Sequence, residues 1–388
     1  VLADCLASAK PFFNQIVVVD TGSSDRTKEI AKEHGAELHE LEWPDSFAAA
    51  RNESLRHAKG DWICWLDADD TLPYGSGYAI LKAVSAAPKN LGGLVMAIRF
   101  VNDDPEFGTS VDHVKVFRNK RGWQFEGRIH EQILQDIRKD GLDVARLNAE
   151  VLHTGYDTTE EGQEKKRVRD ERLLMLDLQD RPGHPFVLFN LGMTAHYLQK
   201  HEEAIDWLKQ SIENSQPSDS HVRKAYVMWA TSVAQLHGAT EGLAIVEKGL
   251  VAAPDDPELL FRRGMFQTEL GQLEEAAESY ERVLRVGRGM HFGSMDTGIF
   301  GYKTMHNLAG VYVQLGSLGR ARDNYLAAMQ SNRRVIDSAF ALFPIAMQNR
   351  DWNTSEMCLL HLAAISGFPR DTLQKMSSDF KAMPRGLR

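Results

Sequence analysis

The sequence predicts an α/β sheet domain followed by an all-helical repeat array. Three observations point there: two apolar runs that each end in carboxylates, a switch to dense mixed charge at Thr159, and small residues recurring at fixed spacing beyond residue 184. The predicted division is 1–158 for the α/β domain, 159–183 for a charged connecting helix and 184–388 for the repeats.

The run Trp62-Ile63-Cys64-Trp65-Leu66 reads as a strand buried on both faces, because it is short, apolar and rich in aromatic and branched side chains. It runs straight into Asp67, Asp69 and Asp70. Ligands of open α/β sheets bind at the carboxyl ends of strands. Three acids there repel one another unless a cation or solvent compensates, and hard oxygen ligands at this spacing suit Mg²⁺ or Mn²⁺ bridging to a diphosphate. The plainer reading is a solvated acidic turn that caps the next helix.

Val17-Val18-Val19-Asp20 is a second strand ending in an acid. Gly22 then permits a tight turn, Ser23 or Ser24 is the expected cap of a helix running to about Glu33, and Gly35 is its expected stop. Asp20 is placed to bind a ribose hydroxyl or a base edge. Further on, a helix is predicted over Tyr78 to Ala86 and strands over Gly93 to Val101 and Asp112 to Arg118, with Asn102 to Ser110 as a loop or hairpin connection.

Gly127-Arg128-Ile129-His130-Glu131-Gln132-Ile133 is a second candidate for chemistry. Imidazole is a common metal ligand and a carboxylate can serve as general base. His130 and Glu131 are neighbours, so on an extended segment they face opposite ways. His153, followed by Thr154-Gly155-Tyr156, competes with His130 as a metal ligand. Arg51 and Asn52 fall in a helical stretch; Arg51 suits bidentate contact with a phosphate, or pairs on the surface with Glu53 or Asp45. Trp43, Phe47 and Trp62 stack on a base or fill core.

Three segments, Val17 to Thr27, Phe47 to Asn52 and Gly60 to Asp70, resemble in order and spacing the nucleotide-sugar motifs of glycosyltransferase family 2, over about residues 1 to 158. The resemblance implies a GT-A fold, a nucleotide-diphospho-sugar donor, Mn²⁺ or Mg²⁺, and inverting sugar transfer to a peptide, protein or glycan acceptor. It implies Asp69 with His130 or His153 on the metal, Asp20 and Asp67 on the nucleoside, Arg51 and Asn52 on the donor, and Glu131 as the base. Members of that family usually begin with a strand that helps to form the base pocket. This chain opens at Val1 within the first helix, so a fragment, or a first strand outside the numbering, is expected.

From Glu160 to Arg172 the charge is dense and of both signs at helical spacing, and Leu173, Leu174, Leu176 and Leu178 add an apolar face before Pro182-Gly183 breaks the helix. Then Asn190-Leu191-Gly192 with Ala204, Arg263-Gly264 with Ala276, and Leu308-Ala309 with Ala321 repeat one pattern, Gly192 and Gly264 lying two units of about 36 residues apart. Degenerate copies fall at Tyr226 to Pro254 and Ala339 to Leu362. The pattern resembles the tetratricopeptide repeat, whose period is about 34 residues. That implies a superhelix whose concave face binds a protein partner or presents the acceptor. The insertion Val286 to Asp296 reads as a flexible bulge rather than a loop reaching the site.

Composition fits two soluble domains: 388 residues, 43% hydrophobic and 26% charged. A net charge of −9 argues against nucleic acid as a partner. Three widely spaced cysteines predict a reducing, cytoplasmic setting, and no apolar run is long enough for a transmembrane segment. Two other classes stay open: a scaffold whose repeats carry the function beside a relic α/β domain, and a nucleotidyltransferase, which also sets carboxylates and Mg²⁺ on an α/β sheet.

Overall fold

The computed structural model describes residues 1–100, 109–154, 159–217, 219–287, 295–332 and 334–367, with scattered positions beyond. The chain divides into two compact units, Val1–Ala225 with Met290–Asp296, and Tyr226–Gly289 with Thr297–Arg388.

The first unit opens with α1 (Leu2–Ala9), β1 (Val17–Asp20), α2 (Thr27–Glu33), β2 (Glu37–Glu40) and α3 (Phe47–His57). It continues with β3 (Trp62–Cys64), β4 (Asp70–Thr71), α4 (Tyr74–Ser85), β5 (Leu91–Phe100), β6 (Thr109–Arg118), α5 (Leu134–Lys139) and β7 (Asp143–His153). A parallel pair joins β1 to β2, and the main sheet has the order β3-β6-β5-β7-β4. Of its pairs only β5–β7 is parallel, so the sheet is mixed.

The alternation of β3 and the residues after it explains why this sheet is covered on both sides. Ile63 and Trp65 pack into a core with Val95, Phe117, Phe125 and Ile137. Trp62, Cys64 and Leu66 pack into the opposite core with Phe12, Ile80, Met96 and Val151. The ladder outlasts β3, since the Trp65 amide donates to the Lys115 carbonyl at 3.1 Å. Asp67 to Asp70 therefore leave the sheet from a fixed point. The two-residue β4 then pairs with β7 in a register that sets Asp70 opposite His153.

The predicted cap of α2 is corrected. Arg26 is its N-cap and no side chain caps it; the turn is closed instead by Asp20, which accepts from the Gly22 and Ser23 amides at 3.1 Å each, with Gly22 at φ +112°. The helix begins at Thr27, past both serines, and the Thr27 amide donates to Asp25 Oδ1 at 3.0 Å. Helix α4 starts four residues before the predicted Tyr78. Most of the predicted Asn102 to Ser110 connection, and Gly155-Tyr156, lie outside the described residues.

Helix α6 (Glu160–Asp180) carries the charged run inside the first unit, with Leu173 and Leu174 buried. It leads to α7 (Pro185–Tyr197) and α8 (His201–Asn214), while α9 (Val222–His237) carries the boundary between the units. The second unit goes on through α10 (Ala239–Ala252), α11 (Pro257–Glu269), α12 (Leu273–Val286), α13 (Tyr302–Gln314), α14 (Leu318–Ser331), α15 (Asp337–Gln348) and α16 (Trp352–Ile365). The predicted small residues sit where helices approach: a Cβ on Gly192 would lie 2.7 Å from Leu208, and one on Gly264 would lie 2.8 Å from the Tyr280 ring.

Most of the predicted Val286 to Asp296 insertion lies outside the described residues. Its end, β8 (Met295–Asp296), pairs antiparallel with Thr109–Ser110 of β6 inside the first unit, and Met295 is buried. No helix among the described residues is long and apolar enough to cross a membrane.

Tyr280 is almost fully buried and cannot move aside for a new side chain. Gly264→Val is therefore expected to cost about 1–3 kcal/mol by overpacking, read as a lowered midpoint in thermal unfolding. An unchanged midpoint would mean that α11 and α12 are not packed this closely.

Candidate active site

Four side chains at the end of the β3 segment converge: one ligand atom each from Asp67, Asp69, Asp70 and His153 lies within 4.8 Å of the others. His153 donates from Nδ1 to Asp70 Oδ1 at 3.0 Å, and its Nε2 stands 3.4 Å from Asp69 Oδ2. The Thr154 amide and hydroxyl both donate to the Asp69 carbonyl at 2.9 Å, which pins the turn from β7.

Beneath the cluster, Lys115 and Asp70 form an ion pair at 2.8 Å with neither side chain exposed. The Lys115 ammonium also lies 3.5 Å from the centroid of the Trp65 ring, a cation–π contact. Asp70 accepts in addition from the Asp67 amide at 3.0 Å. Burial opposes ionisation of Asp70, but His153 and Lys115 outweigh it and hold the carboxyl below its ordinary range. The hydrogen bond to Asp70, with the Asp69 charge, outweighs burial and holds His153 above its ordinary value.

A second cation serves Asp67. The Arg51 guanidinium lies 3.9 Å over the Trp65 ring, donates from Nη2 to Asp67 at 2.8 Å, and donates from Nε to Glu131. Against the cost of burial, Arg51 and then Lys115 draw the Asp67 carboxyl well below the usual carboxylate range. Asp69 has no such partner. Burial first, and then the charges of Asp67 and Asp70, push its carboxyl up despite His153. One acid in the cluster is thus short of positive charge.

This arrangement fits a divalent cation. Asp69 and His153 are partly exposed and converge, and the crowding at Asp69 is what a cation would relieve. His130 is not among the grouped ligands. Its φ of +55° and the φ of +106° at Gly127 turn the segment closed by the Glu126–Gln132 backbone pair, so that Glu131 reaches Arg51 while His130 faces a cavity shared with α6. Arg51 is engaged by two carboxylates. Asn52 spends its amide on the backbone of Phe125, donating at 2.9 Å and accepting at 2.7 Å, and does not join the cluster.

Asp20 lies on the separate β1–β2 pair. Burial works against its charge, but hydrogen bonds from Ser23 and from the Gly22 and Ser23 amides draw its carboxyl down. Its Oδ2 is buried and has no hydrogen-bond partner among the described residues. The residue that sequence reasoning missed is Lys115. Its signal was a lysine inside the apolar run Val114 to Phe117, a residue type that is rarely buried unless paired.

Residues 1–141 match the glycosyl transferase family 2 profile, and residues 187–216 and 257–286 match the tetratricopeptide repeat. The N-terminal part is a family 2 domain, joined to tetratricopeptide repeats. The chain is 30% identical over 221 residues to the SPbeta prophage-derived glycosyltransferase SunS of Bacillus subtilis (strain 168), covering 54% of this chain and 50% of that protein. It is 31% identical over 225 residues to the TPR repeat-containing protein Synpcc7942_0270 of Synechococcus elongatus, covering 56% and 54%. The chain thus spans about half the length of these curated relatives. Among solved structures it is similar to the APC/C hetero-tetramer Cut9–Hcn1, at a TM-score of 0.42 and 14% identity over 56% of this chain and 39% of that one.

Lys115→Met leaves the Asp70 carboxylate buried without its cation and is expected to cost about 3–5 kcal/mol in urea unfolding near pH 7. A group with a depressed folded pKa contributes stability above its unfolded pKa and loses it as pH falls through the folded value. The gap to wild type should therefore narrow below about pH 3.9. A cost under about 1 kcal/mol, independent of pH, would show that the pair is not needed.

Proposed function

We propose that the first unit transfers a sugar from a nucleotide-diphospho-sugar to an acceptor polypeptide, with a divalent cation at Asp69 and His153. The observation that carries this reading is the convergence of three carboxylates and an imidazole, with Asp69 the one of the three whose carboxyl is pushed up. Similarity to SunS, described as a glycosyltransferase, supports the reaction class. The tetratricopeptide repeats support a protein acceptor or partner.

In this reading Asp69 and His153 hold the cation, with Asp67 beside them. A divalent cation held there, Mn²⁺ or Mg²⁺, would supply Lewis-acid neutralisation of the charge on a leaving diphosphate. Lys115 and Arg51 keep the carboxylates aimed before any ligand arrives, so little reorganisation is needed at the moment of reaction. The unpartnered Oδ2 of Asp20 accepts from the base or ribose of the donor. Glu131 takes the proton of the acceptor nucleophile, and Arg51, bound to both Glu131 and Asp67, fixes the spacing between base and donor site. Arg51 then reaches the phosphates only if it lets go of one carboxylate. Attack from the face opposite the diphosphate gives inversion.

Release of nucleoside diphosphate from UDP-, GDP- and dTDP-sugars, followed chromatographically, tests the reading. Turnover of one donor, abolished by EDTA and lowered at least about 100-fold by Asp69→Asn, is the expected result. Turnover that survives both EDTA and Asp69→Asn would remove the cluster from the chemistry. No turnover of any donor, with or without candidate polypeptides, would leave the repeats as the functional part.

A further inference from the structure

The first unit holds a cavity of about 350 Å³ between the 126–139 segment, α6, the start of α7 and residues 219–221. Leu174, Pro185, Phe186 and Val187 give it an apolar wall. Where residues 219–221 meet α7, its polar groups are acceptors that the protein leaves unused.

Asn190 lines the cavity and is only 2% exposed. Its Nδ2 donates to the Phe186 carbonyl at 2.7 Å, so Oδ1 is left to accept, and no group among the described residues donates to it. His221 also lines the cavity, is 8% exposed, and has its ring centroid 5.5 Å from those of Phe186 and Phe189 on α7. Ser215 spends its one hydroxyl proton on the Ser211 carbonyl at 2.7 Å, and its oxygen stands 2.9 Å from His221 Nε2. Nε2 is therefore the donor of that pair, and Nδ1 carries the free lone pair. Burial pushes the His221 ring down to about 4, although Asp219 pulls the other way, so near pH 7 it is neutral and keeps that lone pair. Nδ1 of His184 is sealed within the wall; neither of these two atoms is.

The third acceptor carries charge. In the same wall Glu126 is paired with Lys139 and Asp177 with Arg181. Asp219, two residues before His221, accepts from the Gln216 amide at 2.9 Å and has no ion-pair partner among the described residues. Arg138, the remaining cation of the wall, is exposed, and water screens it. Buried acceptors call for donors, and an unpaired carboxylate calls for a cation. An alkylammonium brings both: three donors, no acceptor, and a positive charge on a stem that can lie along apolar side chains. A hydroxyl brings one donor and no charge.

We propose that this end of the cavity binds a primary ammonium group on an apolar stem, with Asn190 Oδ1 and His221 Nδ1 accepting its protons and Asp219 supplying the counter-charge. The assignment goes beyond sugar transfer and does not depend on it. A free alkylamine and a lysine side chain of a partner polypeptide share this chemistry.

The test titrates the whole chain with n-butylammonium by saturation-transfer NMR at pH 7, with 1-butanol and methyl β-glucoside as neutral comparisons. Saturable binding of butylammonium, at least about tenfold tighter than either neutral probe, is expected. Asp219→Asn keeps an acceptor for the Gln216 amide and should weaken that binding about tenfold. Asn190→Leu, with its fold verified by circular dichroism, should weaken it by a similar factor. Acetyl-Ala-Lys-Ala-amide and its norleucine counterpart separate the two sources. A lysine peptide that binds more tightly than butylammonium assigns the cavity to a polypeptide side chain, and butylammonium bound with the peptide excluded assigns it to a free amine. Butylammonium that fails to bind, that binds Asp219→Asn as tightly as wild type, or that is matched by butanol or the glucoside would overturn the proposal.

Discussion

The buried pair of Lys115 and Asp70 is the interaction on which the rest of the site depends. A lysine and an aspartate with no exposed surface are costly to keep charged, and each is tolerated because the other is there. What the pair provides is position. Asp70 can stay ionised under the sheet, and as an ionised group it accepts from the Asp67 amide and holds His153. The turn between the β3 segment and β4 is thereby fixed from below. Without that anchor the three acids would be an exposed loop of like charges.

Trp65 links the two halves of the device. Its ring has Lys115 at 3.5 Å and Arg51 at 3.9 Å, and its Nε1–H donates to the Val114 carbonyl at 2.7 Å. Two cations on one aromatic ring divide the acids between them, Lys115 taking Asp70 and Arg51 taking Asp67 and Glu131. Asp69 is left over. The electrostatics of the cluster follow from that division rather than from the number of carboxylates, which is why one acid is pushed up while its neighbours are drawn down.

Much of this was legible in the sequence, because strands, turns and repeats are local. The apolar run before Asp67, the glycine turn after Asp20 and the small residues at Gly192 and Gly264 all announce themselves through spacing. Side-chain partners are not local. That Asn52 clamps Phe125, that His130 turns away while Glu131 turns in, and that the 286–296 insertion ends as a strand on β6 depend on contacts between distant residues, which one sequence does not display. Lys115 was visible as an anomaly in an apolar strand, but its partner Asp70 was hidden among three similar acids. The serine cap failed because the helix begins past both serines and the Thr27 amide is taken by Asp25.

The central claim is that Lys115 and Arg51 hold a site for a divalent cation at Asp69 and His153. Its most direct test is electron paramagnetic resonance of free Mn²⁺, titrated into the chain with and without UDP, GDP or dTDP. The account predicts one Mn²⁺ bound per chain, tightened by one of the nucleotides and lost in Asp69→Ala while the fold is kept. Mn²⁺ that stays free with every nucleotide, or that binds equally well to Asp69→Ala, would contradict it.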